Sequence, residues 1–123
     1  MANEITYQMQ IYLRNGNLID TYSSGSKAAS QSAAALVRNV QSIGTGVGGV
    51  ALDLGSVAAP GWAVFINTDA TNYVEIGSFV GGTFYPLMKL LAGEAQMVRL
   101  AVAAPYARAN GASVSLFYII YDT

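Results

Sequence analysis

Histidine and cysteine are both absent from this 123-residue chain, and their absence removes the most familiar routes to catalysis. A Ser-His-Asp triad, a Cys-His pair and a His/Cys zinc site each need one of the two. The commonest general base is missing as well. What remains is seven carboxylates: Glu4, Asp20, Asp53, Asp69, Glu75, Glu94 and Asp122. Glycoside hydrolysis requires two carboxyl groups facing across a cleft, about 5–9.5 Å apart depending on mechanism. Asp69 and Glu75 are the pair to consider for that role. Most of these acids sit in or beside turns, however, where a carboxylate bonds the local backbone. The expectation is a protein that is not an enzyme and holds neither metal nor cofactor.

Two further motifs invite a chemical reading and a plainer one. Gly44-Thr-Gly-Val-Gly-Gly49 matches G-x-G-x-x-G. The dinucleotide fingerprint needs a strand before it, a helix after it and an acid some 20 residues on. Here a strand-like Val50-Ala-Leu-Asp-Leu54 follows, so a glycine-rich turn is the better reading. Asp69-Ala-Thr71-Asn72 offers oxygen ligands but lacks the spaced carboxylates of a calcium loop. An Asx or Ser/Thr turn explains it. Eight tyrosines are many for this length. Tyrosine suits strands and is enriched at interfaces. Tyr12, Tyr85, Tyr106 and Tyr121 lie on the more polar faces or in loops, and are the candidates for a contact surface. Trp62 leads an apolar strand and reads as core.

These residues must be carried by strands. Ile5, Tyr7, Met9, Ile11 and Leu13 alternate with more polar neighbours, the period of a half-buried strand. Asn15-Gly16 is a strong hairpin signal, so residues 4–23 form a β-hairpin. Residues 23–34 are small and polar. They read as an extended or mobile arm followed by a strand through Ile43, in preference to a helix over 29–40. The run 62–67 is apolar on both faces and suits a central strand. Gly81-Gly82 is a hairpin turn, and Pro86 puts the strand after it at an edge or a bulge. Residues 103–111 read as a loop. The final strand, 112–121, belongs in a sheet interior or under a neighbouring subunit, because exposed at an edge it would template aggregation. About nine short strands with regular turn signals give an all-β fold, an antiparallel β-sandwich or jelly-roll-like barrel. It is read as a single domain over 1–123.

Composition narrows the function. Hydrophobic residues make up 53% of the chain and charged ones 11%, against about 25% charged in a typical soluble domain. A surface so poor in charge favours association. The six basic residues are scattered singly, which argues against nucleic acid and against an anionic membrane surface. No apolar run reaches the ~20 residues of a membrane-spanning helix. The start lacks the basic and apolar regions of a secretory signal.

The segments Val40–Gly44, Ala51–Gly55, Gly61–Asn67, Asp69–Gly77, Phe84–Leu87 and Ala92–Glu94 recur in that order in a group of small proteins encoded among the structural genes of tailed bacteriophages, which the chain resembles. The likeness covers about half the chain. It implies a virion component with a β-sandwich or jelly-roll body, assembled in the host cytoplasm. The expected role is a capsid decoration or cement protein that contacts the major capsid protein and itself, as a homo-oligomer with a trimer favoured. A tail, baseplate or head–tail junction component is the alternative. A carbohydrate-binding module is the rival from another class.

Overall fold

A computed structural model describes residues 2–123; Met1, where the single-domain reading begins, lies outside them. Among the described residues there is no helix, and all strand pairings are antiparallel. The chain divides into two compact units, one ending at Ser32 and the other spanning Ala33–Thr123. The sequence analysis treats this as one sandwich domain; the sandwich itself belongs to the second unit.

In the first unit, β1 (Ile5–Tyr7) pairs with β4 (Lys27–Ala29), and β2 (Gln10–Asn15) with β3 (Leu18–Ser23). The long alternating run is thus two strands, interrupted at Gln8 and Met9. The segment expected as an arm carries β4 in its middle. Two residues, Gly16 and Asn17, form the hairpin loop. Gly16 has φ +58°, a left-handed conformation that fits glycine at the first loop position of a tight hairpin.

The second unit holds two four-stranded sheets. Sheet I has the order β10 (Ala95–Arg99), β7 (Pro60–Asn67), β12 (Val114–Asp122), β5 (Leu36–Ile43). Sheet II has the order β6 (Val50–Ala51), β11 (Tyr106–Ala109), β8 (Val74–Val80), β9 (Thr83–Leu90). From β7 onward the chain passes between the sheets after every strand except β8, which is joined to β9 by Gly81-Gly82. The expected central strand β7 and the expected interior strand β12 are neighbours in the middle of sheet I. Residues 106–109, expected as a loop, form β11.

Strict alternation puts Phe65, Leu116, Tyr118 and Ile120 into the core with Val74, Ile76 and Leu90 from the other sheet. Pro86 is at an edge and at a bulge at once. It sits on edge strand β9, where the register slips between Ile76 and Gly77. A Cβ at Gly77 would stand only 1.9 Å from the Tyr85 carbonyl oxygen, so the strand tolerates no side chain there.

Polar groups inside the sandwich are paired. Tyr118 is fully buried, and its hydroxyl lies 2.8 Å from Gln41 Oε1 and 2.7 Å from the Asp53 carbonyl. Asn39 Nδ2 donates to the same oxygen at 3.2 Å. Burial raises the phenol's pKa, so it stays a neutral donor. Asn67 donates to the carbonyls of Asn72 and Leu90, at 2.9 and 3.1 Å, and accepts from the Asp69 amide. The Asp122 carboxylate accepts from the Ala58 and Ala59 amides at 3.0 and 3.1 Å.

Tyr118→Phe leaves the core's shape intact but strips the Gln41 and Asp53 oxygens of their shared donor. Losing such a bond costs about 1–3 kcal/mol. Urea denaturation should show that loss as a lower midpoint with an unchanged slope; an unchanged midpoint would mean the hydroxyl contributes nothing.

Candidate interaction surface

Cross-strand register decides which side chains share a face of the β2–β3 hairpin. Ile11 faces Tyr22, Leu13 faces Asp20 and Asn15 faces Leu18. Met9 continues this row, since its amide donates to Ser24 Oγ and its carbonyl accepts from the Ser24 amide, both at 2.9 Å. One face therefore presents Met9, Ile11, Leu13, Leu18 and Tyr22, with Asp20 as its one charge. The opposite face presents Gln10, Tyr12, Arg14, Ile19, Thr21 and Ser23.

The hairpin is amphipathic, and its apolar face is open. Ile11 is 63% exposed, Leu18 59% and Tyr22 57%. Isolated apolar residues on a surface need no explanation, but a contiguous apolar face marks an interaction site. The sequence analysis takes this alternation as half-burial; the structure supplies the pattern without the cover.

Of the four candidate tyrosines one belongs to the first unit, and the three of the second are divided between its two sheets. Tyr12 is exposed on the polar face of the hairpin, opposite Thr21. Tyr85 is exposed on edge strand β9. Tyr106, placed in a loop by sequence, is half-buried in β11 and stacks on Phe79 with ring centres 5.1 Å apart. Tyr121 is half-buried on β12, in the other sheet, opposite Leu36. The residues that carry the apolar face were read only as a strand pattern. Their signal was present in the sequence as the alternation Met9, Ile11, Leu13.

The chemical motifs resolve into local structure. In the Gly44–Gly49 turn, Gly49 has φ +74°, and a Cβ there would meet the Ala107 carbonyl at 3.0 Å and the Phe84 ring at 3.1 Å. The Val47 carbonyl accepts from Arg108 at 3.0 Å. Arg108 also pairs with Glu75 at 2.9 Å and lies over the Phe84 ring. Glu75 is committed to a cross-strand ion pair. Asp69 is committed to its own turn: Oδ2 accepts from the amides of Asn72 (2.6 Å) and Thr71 (3.0 Å). Among the described residues no three acids converge to hold a metal. An apolar cavity of about 130 Å³ opens between Leu87, Met88, Val98 and Leu100. That is well below the ~300–1,000 Å³ of ligand pockets.

Donors on the carboxylate hold the Asp69 pKa below its ordinary 3.8, the Asn72 amide acting most strongly and the Thr71 amide next. A depressed folded pKa stabilises above the unfolded value and is lost as pH falls through the folded one. An NMR titration should find the Asp69 carboxyl and the Thr71 and Asn72 amides moving together, with a midpoint under 3.8. A midpoint at or above that value would contradict the turn.

Because Ile11 is 63% exposed, replacing it with Ser should change stability to unfolding by no more than about 0.5 kcal/mol, the range of ordinary surface substitutions. A loss above 2 kcal/mol, the cost of a core truncation, would show the side chain to be covered.

The chain matches no family model, no curated protein and no solved structure.

Proposed function

We propose that this protein is a structural component of a phage-like virion, a capsid decoration or cement protein that stabilises the head through subunit contacts. One observation carries the reading: an amphipathic hairpin with its apolar face exposed, in a chain only 11% charged. Added buried area shifts a capsid away from dissociation by mass action. A contact of ordinary size, about 800 Å² per partner, suffices. The resemblance of segments 40–94 to virion proteins of tailed phages supports the particle as the setting. Tyr12 and Tyr85, exposed at 64% and 52%, add aromatic contact area of the kind interfaces favour.

The test is binding to head particles assembled from the major capsid protein of the same genome but lacking this protein. Wild-type protein should co-sediment with the heads and raise their disruption temperature. The double variant Ile11→Ser/Leu13→Ser, with its sandwich intact by circular dichroism, should lose at least tenfold in affinity. Absence of head binding by the wild-type protein would overturn the proposal, and binding to tails alone would move the protein to that part of the particle.

A further inference from the structure

The two outer faces of the sandwich differ in chemistry. On sheet II, Glu75 stands between Arg108 and Lys89 in one cross-strand row, and the Lys89 ammonium lies 4.1 Å from the Tyr73 ring centre. That face is charged and its charges have partners. On sheet I the register places Ile66, Phe117 and Val40 in one row across three strands. Val64 and Ile119 form the next row, flanked by Met97 on β10 and Arg38 on β5. Val40 is 58% exposed. Outward positions of these four strands carry two charges, Arg38 on β5 and Arg99 on β10, both basic and both on edge strands.

Exposed apolar residues also lie on sheet II, at Val80, Tyr85 and Leu87. The two apolar faces whose charges are of opposite sign are the hairpin's, whose single charge is Asp20, and that of sheet I, whose charges are both arginines. The face of sheet I is exposed at Val40 and half-buried at Val64, Phe117 and Ile119. We infer that the apolar hairpin face of one copy packs on the outer face of sheet I of a second copy, with Asp20 beside Arg38. This deepens the assembly reading above by naming the partner. The dimensions agree. At about 3.4 Å per residue and 4.8 Å between strands, a hairpin of six-residue strands covers some 20 by 10 Å, and the three long strands β5, β7 and β12 of sheet I offer some 27 by 14 Å. Sheets stack face to face about 10 Å apart with interdigitating side chains. Charge complementarity fixes the orientation and disfavours the reverse one. Arg38 is chosen over Arg99 because the Arg99 guanidinium is already held by Thr123 Oγ1 at 3.1 Å and lies over the Trp62 ring. Each copy donates one hairpin and receives one, an arrangement that a reciprocal pair or a ring satisfies completely.

A chain without cysteine allows a direct test. Leu13→Cys and Ile119→Cys are made in separate full-length chains, mixed in equal amounts and treated with a short bismaleimide. The expected product is a mixed covalent dimer in clear excess over either homodimer, alongside oligomers of the unmodified protein by native mass spectrometry. Val40→Asp, at an exposed site, should shift the oligomer to monomer. Asp20→Arg should weaken association at least tenfold, and adding Arg38→Asp should restore it. The inference is overturned if both single-cysteine chains are folded and no mixed dimer forms, or if cross-linking occurs only when both cysteines are in one chain. It is also overturned if the paired charge reversal restores nothing. Should self-association fail while the protein still binds heads, this inference falls and the assembly reading stands.

Discussion

A ribbon of two β-strands, taken by itself, has no third strand and no second layer to bury either of its faces. Isolated two-stranded hairpins are at best marginally stable in water for that reason. In the β2–β3 hairpin the backbone requirements are met: six residues pair with six, and Gly16 takes the left-handed φ the loop needs. Side-chain burial is what the ribbon lacks. Fully burying one large aliphatic side chain is worth about 1.5–3 kcal/mol, and five such groups share the open face. Burial of that face is the contribution that the ribbon does without.

The second unit poses the opposite case. Its interior is complete: among the described residues no buried side-chain nitrogen or oxygen lacks a hydrogen-bond partner. The buried polar groups Tyr118, Asn67 and Asp122 each tie a loop to a strand. Asp122 holds the Ala58–Ala59 turn, and Asn67 holds the ends of β8 and β9. Such networks are rigid because leaving any member unpaired is costly in a low-dielectric core. Exposed apolar side chains of this unit, among them Val40, Val80 and Leu87, lie on the outside of the sandwich.

Much of the sandwich was legible in the sequence because its devices are local. The run 62–67, apolar at every position to Ile66, suited a central strand. Pro86 could not donate to a ladder, so it marked both the edge and the bulge. Gly81-Gly82 announced a hairpin, and both residues have positive φ. What escaped was whatever depends on a partner element. Tyr106-Ala-Arg-Ala109 has little β-propensity and becomes a strand because β8 and β6 flank it. The alternation of Ile5 to Leu13 is as regular as that of β12. Yet Ile120 is fully buried and Ile11 is mostly exposed. A period of two identifies which side chains share a face and carries no information on what lies against that face. The division at residue 32 was hidden by the same ambiguity, since both units are written in the same pattern.

Exposed apolar strands ordinarily threaten open-ended aggregation, and the edges of this fold are arranged against it. Strand β6 is two residues long, and β9 is interrupted by a proline bulge. The other two edges carry Arg38 on β5 and Arg99 on β10. Short strands, prolines, bulges and charges are the means by which natural sheets refuse further strands. Edge pairing propagates through backbone bonds that any strand can make, whereas face packing depends on side-chain shape and a fixed relative orientation. Guarded edges therefore disfavour the open-ended strand addition that leads to fibres. In this chain the scarcity of charge and its placement act together: two of its four arginines, Arg38 and Arg99, stand on edge strands where an unwanted strand would otherwise add.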